Sequence, residues 1–370
     1  MINRVPAEVF PPGDFIREEL EERGWSQAEL AEILDVSAAT VSDLSKGKRS
    51  VTPEIAKALE AALEIDAEYW LRLDAYYRLH TTPAASPGIK QRARLHERFP
   101  IREMIGRGWL VGSKNSEVLE TQVLEFFGID SLDETPELPH AAKKSKGLSG
   151  YDEPSPTQLA WLYRVKRIAE TMQVPLYTTE KLRDALDELK PLMMAAEEMR
   201  HVPRILAKAG IRFVIVEHLP RSKIDGVCFW LNKGQPVIGM SLRLDRIDNF
   251  WFVLRHEIEH VLNQDASLDS ELDKRDPNAS AEEQIANDEA AEFCVSIATL
   301  GDFIARVDPL YSHKKIVGFA NIVGVHPGVL VGQLQRRIKR YDLFRTYLVK
   351  VRDIVTPAAM TDGYGRVCPA

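Results

Sequence analysis

The spacing of apolar residues changes along the chain, and these changes limit the folds that it can adopt. From residue 11 to about 80, apolar residues recur every three or four positions, which predicts helices. The segment 81–88, with two Thr, two Pro and a Gly, then ends this pattern and reads as a linker. The helical period returns at 155–209, stops for three short, partly β-branched runs and resumes at 249. Those runs, at 211–216, 226–231 and 236–241, predict three strands of a small sheet.

A multidomain protein is therefore expected, because 370 residues also exceed what one small core needs. The predicted regions are an all-α five-helix domain at 1–80, a linker and helical middle region at 81–154, a mainly α, α+β domain with a three-stranded sheet at 155–345, and a C-terminal tail at 346–370. No function is predicted for residues 89–150.

Composition narrows the class of protein. With 45% hydrophobic and 28% charged residues, the chain is typical of a soluble globular protein. Its longest apolar runs are far shorter than the roughly 20 residues that cross a bilayer, and residues 1–12 do not resemble a signal peptide. Cys228, Cys294 and Cys368 form an odd, scattered set, which favours a reducing compartment. A cytoplasmic protein without membrane contact is therefore expected. The formal net charge of −7 still allows a local DNA-binding face.

Residues 25–49 predict two short helices joined by a tight turn. Ser26 with Glu29 three residues later is a capping box for the first helix, and Ser37 can cap the second. Ala31 is small enough for the helices to touch, and Val36 supplies an apolar anchor in the turn. Asp35 in the turn tolerates a positive φ. The alternative is a helical hairpin that only packs.

In such a pair the second helix enters the major groove of DNA, where its first turn meets base edges. Gln27 begins the first helix, where it can contact a phosphate or base. Lys46, Lys48 and Arg49 follow the second helix and are expected to bind the phosphate backbone. The complete predicted DNA-binding set is Gln27, Ser37, Ala38, Ala39, Thr40, Ser42, Asp43, Lys46, Lys48 and Arg49.

The series Ser-Gln-x-x-Leu-Ala-x-x-Leu-x-Val-Ser at 26–37 resembles the Cro/repressor-type (XRE) helix-turn-helix family. The flanking Phe-Pro-Pro-Gly at 10–13 and Trp70 are similar to the HigA antitoxin branch of that family. The resemblance covers residues 5–80 and implies binding to a double-stranded DNA operator as a homodimer. Asp43 departs from the pattern, since a carboxylate there repels phosphate and favours only cytosine.

A second motif, His-Glu-x-x-His at residues 256–260, predicts a metal centre. His256 and His260 are four residues apart, so on a helix both imidazoles can reach one Zn²⁺ ion. Glu257 is then placed to take the proton of a water that attacks an amide carbonyl. A third ligand is expected on a later helix. Glu283, with Asn287 orienting a His ligand, is the first choice, and Glu289 is the second.

The motif and the downstream Glu-x-x-Ala-Asn-x-x-Ala-Ala-x-Phe at 283–293 resemble the ImmA/IrrE metallopeptidase family over residues 155–345. The resemblance implies a zincin-like fold, Glu283 as the third ligand, and a repressor, antitoxin or toxin protein as substrate or partner. Glu259 stands where that family has Gly, Glu289 where an aromatic residue is common, and Ser296 where Pro is common.

Three other interpretations remain at this point. The C-terminal domain of a non-enzymatic transcription factor or antitoxin can sense a ligand or hold a toxin through a degenerate peptidase fold. A general scavenging peptidase fits poorly beside a DNA-binding module. Residues 314–337 form a second helix–turn–helix-like stretch that either contacts DNA or packs within its domain, with His326 as a cap.

Overall fold

The computed structural model describes residues 9–136, 154–264, 267–270 and 280–368, and its contacts divide the chain into two compact units. The first spans Met1–Pro87 and the second Gly88–Ala370. Residues 137–153, which belong to the predicted middle region, lie outside the described residues.

The described residues of the first unit form five helices, as predicted. They are α1 (Pro12–Arg23), α2 (Gln27–Ile33), α3 (Ala38–Ser45), α4 (Pro53–Leu63) and α5 (Ala67–Thr81). Their apolar faces meet in one core that includes Ile16, Leu30, Val41, Leu59 and Trp70. Side chains of Ser26, Ser37, Thr52 and Asp66 each accept a backbone N–H in the first turn of the following helix, which satisfies donors that the helix leaves open.

The second unit has twelve described helices and five strands. The helices are α6 (Pro87–Arg98), α7 (Ile101–Gly106), α8 (Ser116–Phe127), α9 (Pro156–Thr171), α10 (Thr179–Leu189), α11 (Val202–Lys208), α12 (Ile247–Leu262), α13 (Ala281–Cys294), α14 (Ile297–Val307), α15 (His313–Val323), α16 (Pro327–Ile338) and α17 (Arg352–Val355). The strands are β1 (Arg212–Val216), β2 (Ile224–Trp230), β3 (Pro236–Met240), β4 (Ser267–Ser270) and β5 (Met360–Asp362). Short 3-10 turns occupy Lys190–Met194, Ala196–His201, Arg345–Tyr347 and Thr356–Ala358.

The sheet has the order β4-β2-β3-β1-β5. Strand β1 runs parallel to β3 and β5, whereas β2 runs antiparallel to β3 and β4. The three predicted strands are present, but the expectation of only three strands is wrong. Strands β4 and β5 are four and three residues long and carry no run of apolar residues, so only their backbone pairing with β2 and β1 reveals them.

Both faces of the sheet are covered, which explains why the predicted strands are apolar without strict alternation. Phe213 and Ile215 of β1 belong to a core shared with α12 and α16, and Val214 and Val216 belong to a second core shared with α8 and α9. On the second face, the Trp161 indole N–H donates to the carbonyl oxygen of Val216 at 2.9 Å.

The middle helices and the C-terminal segment are joined to that second face. Leu95, Phe99 and Phe127 pack in the same core as α9. At the edge of the sheet, buried Asp362 of β5 pairs with Arg164 of α9 and accepts the Trp109 indole N–H at 2.8 Å. Residues 346–368, which the sequence sets apart as a tail, thus supply an edge strand and a buried ion pair.

Among the described residues, no single helix is long and apolar enough to cross a bilayer. In this described part of the chain, α15 and α16 reach that length and composition when taken together, and they are bent by 109° at the break between them.

Candidate nucleic-acid interface and metal centre

The start of α2 and the turn between α2 and α3 both have the geometry that the sequence predicts. The Ser26 hydroxyl accepts the backbone N–H of Glu29 at 3.2 Å, and the Glu29 carboxylate accepts that of Ser26 at 2.6 Å. The hydrogen bond from the Ser26 backbone N–H lowers the pKa of Glu29, and the Ser26 hydroxyl lowers it by a smaller amount. Asp35 has a φ of 53°, and the N–H of Val36 donates to the carbonyl of Ala31 at 2.9 Å. The turn is therefore closed by local contacts.

Most of the predicted DNA-binding residues lie on the surface of the first unit. The exposed ones are Gln27, Ser37, Ala38, Ala39, Lys46, Lys48 and Arg49, and Ser42 and Asp43 are half-buried. The segment after α3 folds back on that helix, because the N–H groups of Lys48 and Arg49 donate to the Asp43 carbonyl at 2.9 and 3.2 Å. The three cations therefore stay beside the C-terminal end of α3.

Thr40 is placed differently from its neighbours on α3. Its side chain is 9% exposed, and its hydroxyl lies 3.0 Å from that of Ser37 and 3.5 Å from Nη1 of Arg49. These contacts satisfy the hydroxyl within the domain. In this conformation Thr40 supports the first turn of α3 and does not present its hydroxyl to a base edge.

Helix α12 places both imidazoles of the second motif in the interior. Its residues 250–254 are buried against the sheet and the neighbouring helices, which fixes the rotation of the helix about its axis. His256 and His260 are 0% and 1% exposed, and their Nε2 atoms lie 3.1 Å apart. The spacing of four residues thus brings the two nitrogens to one point, as predicted.

Helix α13 brings a carboxylate to the same point. Ser280 caps this helix by accepting the N–H of Glu283 at 3.3 Å, which anchors the turn that carries Glu283. The two carboxylate oxygens of Glu283 lie 3.3 Å from Nε2 of His256 and 3.5 Å from Nε2 of His260. The three ligand atoms lie within 4.8 Å of one another, and all three residues are buried. Two imidazole nitrogens and one carboxylate oxygen are a donor set that suits Zn²⁺, so these residues fit a zinc ion.

Glu257 lies against the sheet. It is 0% exposed, and its carboxylate occupies the space above Gly226 of β2. A Cβ atom at position 226 would stand 2.1 Å from Oε1 of Glu257, so only glycine leaves room for the carboxylate in this position. Gly226 is not among the predicted site residues, because it is the first residue of the predicted strand at 226–231, where a Gly indicates only the strand boundary.

Glu289, the second choice for the third ligand, forms an ion pair with Arg255. Its Oε2 accepts a hydrogen bond from Nη2 of Arg255 at 3.0 Å. Nη1 of the same Arg255 donates to Glu259 at 2.7 Å, so the carboxylate that replaces Gly in the motif has a buried counter-ion. Asn287 donates from Nδ2 to the carbonyl of Glu283 at 2.8 Å. This hydrogen bond thus joins the Asn287 side chain to the backbone of its own helix.

The second helix–turn–helix-like stretch forms α15 and α16. Most of α16 is buried, and the Arg336 guanidinium lies 4.2 Å from the ring centroid of Phe252 on α12. His326 caps α16 by accepting the N–H of Gly328 at 3.0 Å, as predicted. This stretch therefore packs on the helix that carries the metal-site histidines, while Lys314 and Lys315 stay exposed.

Comparisons with known proteins bear on the first unit. The helix-turn-helix family model HTH_3 matches residues 16–70. The chain is 35% identical over 68 residues to the uncharacterized HTH-type transcriptional regulator YddM of Escherichia coli K12, which is 72% of that protein and 18% of this chain. It is 38% identical over 69 residues to virulence-associated protein A' of Dichelobacter nodosus, and 39% identical over 61 residues to virulence-associated protein A of the same organism. These two matches each cover 60% of the relative, and 18% and 16% of this chain.

The first unit thus defines a DNA-binding protein of the helix-turn-helix class. The chain belongs to the XRE-type helix-turn-helix family of transcriptional regulators. The matched residues include α2, the turn and α3, where the predicted DNA-binding residues lie.

Proposed function

We propose that this DNA-binding regulator carries a zinc-dependent peptidase centre in its second unit and cleaves a partner regulatory protein. The observation that carries the proposal is the meeting of the ligand atoms of His256, His260 and Glu283 within 4.8 Å of one another. Two of these ligands come from α12 and one from α13, which are separated in sequence by β4. The first unit would bind a palindromic operator as a homodimer, since two copies then read two half-sites.

The residues divide the work of amide hydrolysis between them. A zinc ion held by the three ligands supplies a Lewis acid for the reacting oxygen atoms. Glu257 accepts a proton from the attacking water and passes it to the nitrogen of the leaving amine, so that the scissile C–N bond breaks with no net gain or loss of protons. Gly226 leaves the space in which the Glu257 carboxylate is held.

A repressor, antitoxin or toxin protein is the proposed substrate, by resemblance to the ImmA/IrrE family. A regulator that binds DNA through one unit gains a response to a signal if its other unit destroys such a protein. The DNA-bound and protein-cleaving activities would then reside in one chain.

Burial of the centre favours a second candidate function. His256 and Glu257 are both 0% exposed, which suits a centre that holds a metal for structure or sensing without hydrolysing a protein. In that case the second unit would bind a toxin or a small ligand, and the chain would act as a transcription factor or antitoxin without enzymatic activity.

Metal analysis tests the centre. We expect one zinc per purified wild-type chain and loss of zinc in His256→Ala and Glu283→Ala. Zinc at wild-type level in Glu283→Ala would remove Glu283 from the ligand set. Glu257→Gln then separates the two candidate functions, because it keeps the metal but removes the proton acceptor. Loss of cleavage of co-expressed repressor, antitoxin and toxin proteins supports the peptidase, whereas an unchanged regulatory phenotype supports the second candidate.

Salt-dependent DNA binding tests the interface. An operator can be selected from random duplexes with the purified chain, and its affinity measured between low and moderate salt. We expect Lys48→Ala to weaken binding and to reduce the salt slope by about one, as for loss of one phosphate contact. Lys314→Ala is the matched control, because it removes an exposed lysine from α15. An equal effect of both variants would place DNA on α15 as well.

A further inference from the structure

One buried guanidinium connects the two helices of the metal centre. Arg255 directly precedes His256 on α12 and is 5% exposed. It donates from Nη1 to Glu259 on its own helix at 2.7 Å and from Nη2 to Glu289 on α13 at 3.0 Å. A planar guanidinium that donates one N–H to each of two carboxylates links the two helices through its rigid fork of donors.

The two carboxylates are also two of the three positions at which this chain departs from the pattern of the ImmA/IrrE family that it resembles. Glu259 replaces Gly and is 9% exposed, so its charge would be costly to bury alone. Glu289 replaces an aromatic residue and has a half-exposed side chain. Arg255 thus has one carboxylate partner on each of the two helices.

The ring of Phe293 lies near the same guanidinium. The Arg255 Cζ atom lies 5.9 Å from the ring centroid of Phe293, and Nζ of Lys190 lies 5.2 Å from the same centroid. Phe293 is one turn after Glu289 on α13, so both contacts of Arg255 with α13 lie in adjacent turns.

The bridge lies on the same pair of helices as the ligands. Glu283 and Glu289 are six residues apart on α13, which corresponds to about 9 Å along the helix axis. The ligands and Arg255 are therefore two separate polar links between helices that also pack through Ala290 and Cys294 of α13. The apolar contacts set the approach of α13 to α12, and a polar link about 9 Å from Glu283 adds resistance to rotation of α13 at the ligands.

The geometry points to Arg255 as a positioning residue of the metal centre. With Glu259 and Glu289 it forms a clamp, the Arg255 clamp, that holds the Glu283 carboxylate at the correct distance from the two imidazoles. Zinc affinity then depends on a residue that does not bind the metal. This inference rests on the proposed zinc centre.

Two alanine variants of adjacent carboxylates test the clamp. Glu289→Ala removes the α13 partner of Arg255, whereas Asp288→Ala removes the same charge from an exposed position of the same helix. Zinc affinity is measured by competition with a chromophoric chelator on the full chain, beside Glu283→Ala. We expect Glu289→Ala to weaken zinc binding about 10-fold, the lower end of the range for groups that orient metal ligands, and Asp288→Ala to change it less than about twofold.

The absorption spectrum of the Co²⁺-substituted protein reports the geometry of the metal ligands, and a change in stability alone does not alter it. We expect its ligand-field absorption bands to shift in Glu289→Ala and to stay unchanged in Asp288→Ala, with both metal-free variants unfolding within a few degrees of the wild type. Equal affinities and spectra for the two variants would overturn the clamp. A complete loss of zinc in Glu289→Ala, as in Glu283→Ala, would overturn it in favour of Glu289 as a ligand. Wild-type chain without stoichiometric zinc would remove the proposed metal centre itself, and the clamp with it.

Discussion

Replacing Gly13 by alanine should destabilise the helix-turn-helix unit, although alanine is the better helix former. Gly13 is buried in the first turn of α1, against the end of α3. A Cβ atom there would stand 2.4 Å from the carbonyl oxygen of Ser45 and 2.5 Å from that of Leu44. Both are backbone atoms, so neither can rotate away, and α1 would have to move by about 1 Å to restore ordinary contact.

The sign of the effect follows from two opposing magnitudes. Gly→Ala in a helix gains at most about 1 kcal/mol from backbone entropy and helix propensity. Forcing an extra carbon into a packed interface costs about 1–3 kcal/mol. We therefore expect a net loss of about 1–2 kcal/mol in Gly13→Ala. Gly301→Ala in α14 is the matched control, because a Cβ there meets nothing within 4 Å, and it should stabilise its unit by about 0.5–1 kcal/mol.

Calorimetry of the full chain, with hydrogen exchange to identify the unit that melts, measures both effects. For a unit of 60–100 residues, 1 kcal/mol corresponds to a change in Tm of roughly 4–8 °C. Faster exchange in α1 and α3 of Gly13→Ala, without change in the second unit, is the expected pattern. A Gly13→Ala chain as stable as wild type, or more stable, would refute the packing of α1 against α3 described above.

Three further predictions concern the second unit. Gly226→Ala should keep zinc but reduce cleavage about 100-fold, because the new Cβ displaces the Glu257 carboxylate by more than 1 Å. Unchanged cleavage would contradict the role of Glu257. Burial raises the pKa of the Cys294 thiol to about 12. At pH 8 a thiol reagent should therefore label Cys294 only after the chain unfolds, which mass spectrometry can measure. Prompt labelling of the native chain would show that the thiol is accessible. Burial lowers the pKa of His326, so the unfolded chain binds this proton more readily and stability should fall as pH drops below about 6.5. His326→Asn keeps a capping side chain without a titration, and its Tm should fall less between pH 7 and 5; parallel curves for the two proteins would exclude this contribution.

The features of the fold that the sequence predicted depend on residues that are close together in the sequence. The Ser26 capping box, the positive φ of Asp35 and the cap of α16 by His326 each depend on residues within four positions. The three interior strands were visible because they are apolar and bounded by turn residues. The edge strand β5 is three residues long and gives no such signal, since it forms only by pairing with β1.

Thr40 and Glu289 show where prediction from position alone ends. Both were assigned by their place on a helix that carries functional residues. The face of α3 that packs on the rest of the unit turns Thr40 inwards, and the bridge to Arg255 takes Glu289 away from the imidazoles. An i, i+4 pairing of Arg255 with Glu259 was readable in the sequence, but its extension to α13 was not.

The sequence by itself determined the helix-turn-helix unit and the presence of two histidines on one helix face, because helical periodicity and capping are properties of neighbouring residues. The tertiary structure decided which carboxylate of α13 meets those histidines, and it placed Gly226 beneath Glu257. These outcomes depend on the rotation and translation of elements that are distant in sequence. Packing of apolar side chains across the whole sheet sets that arrangement, and no local pattern records it.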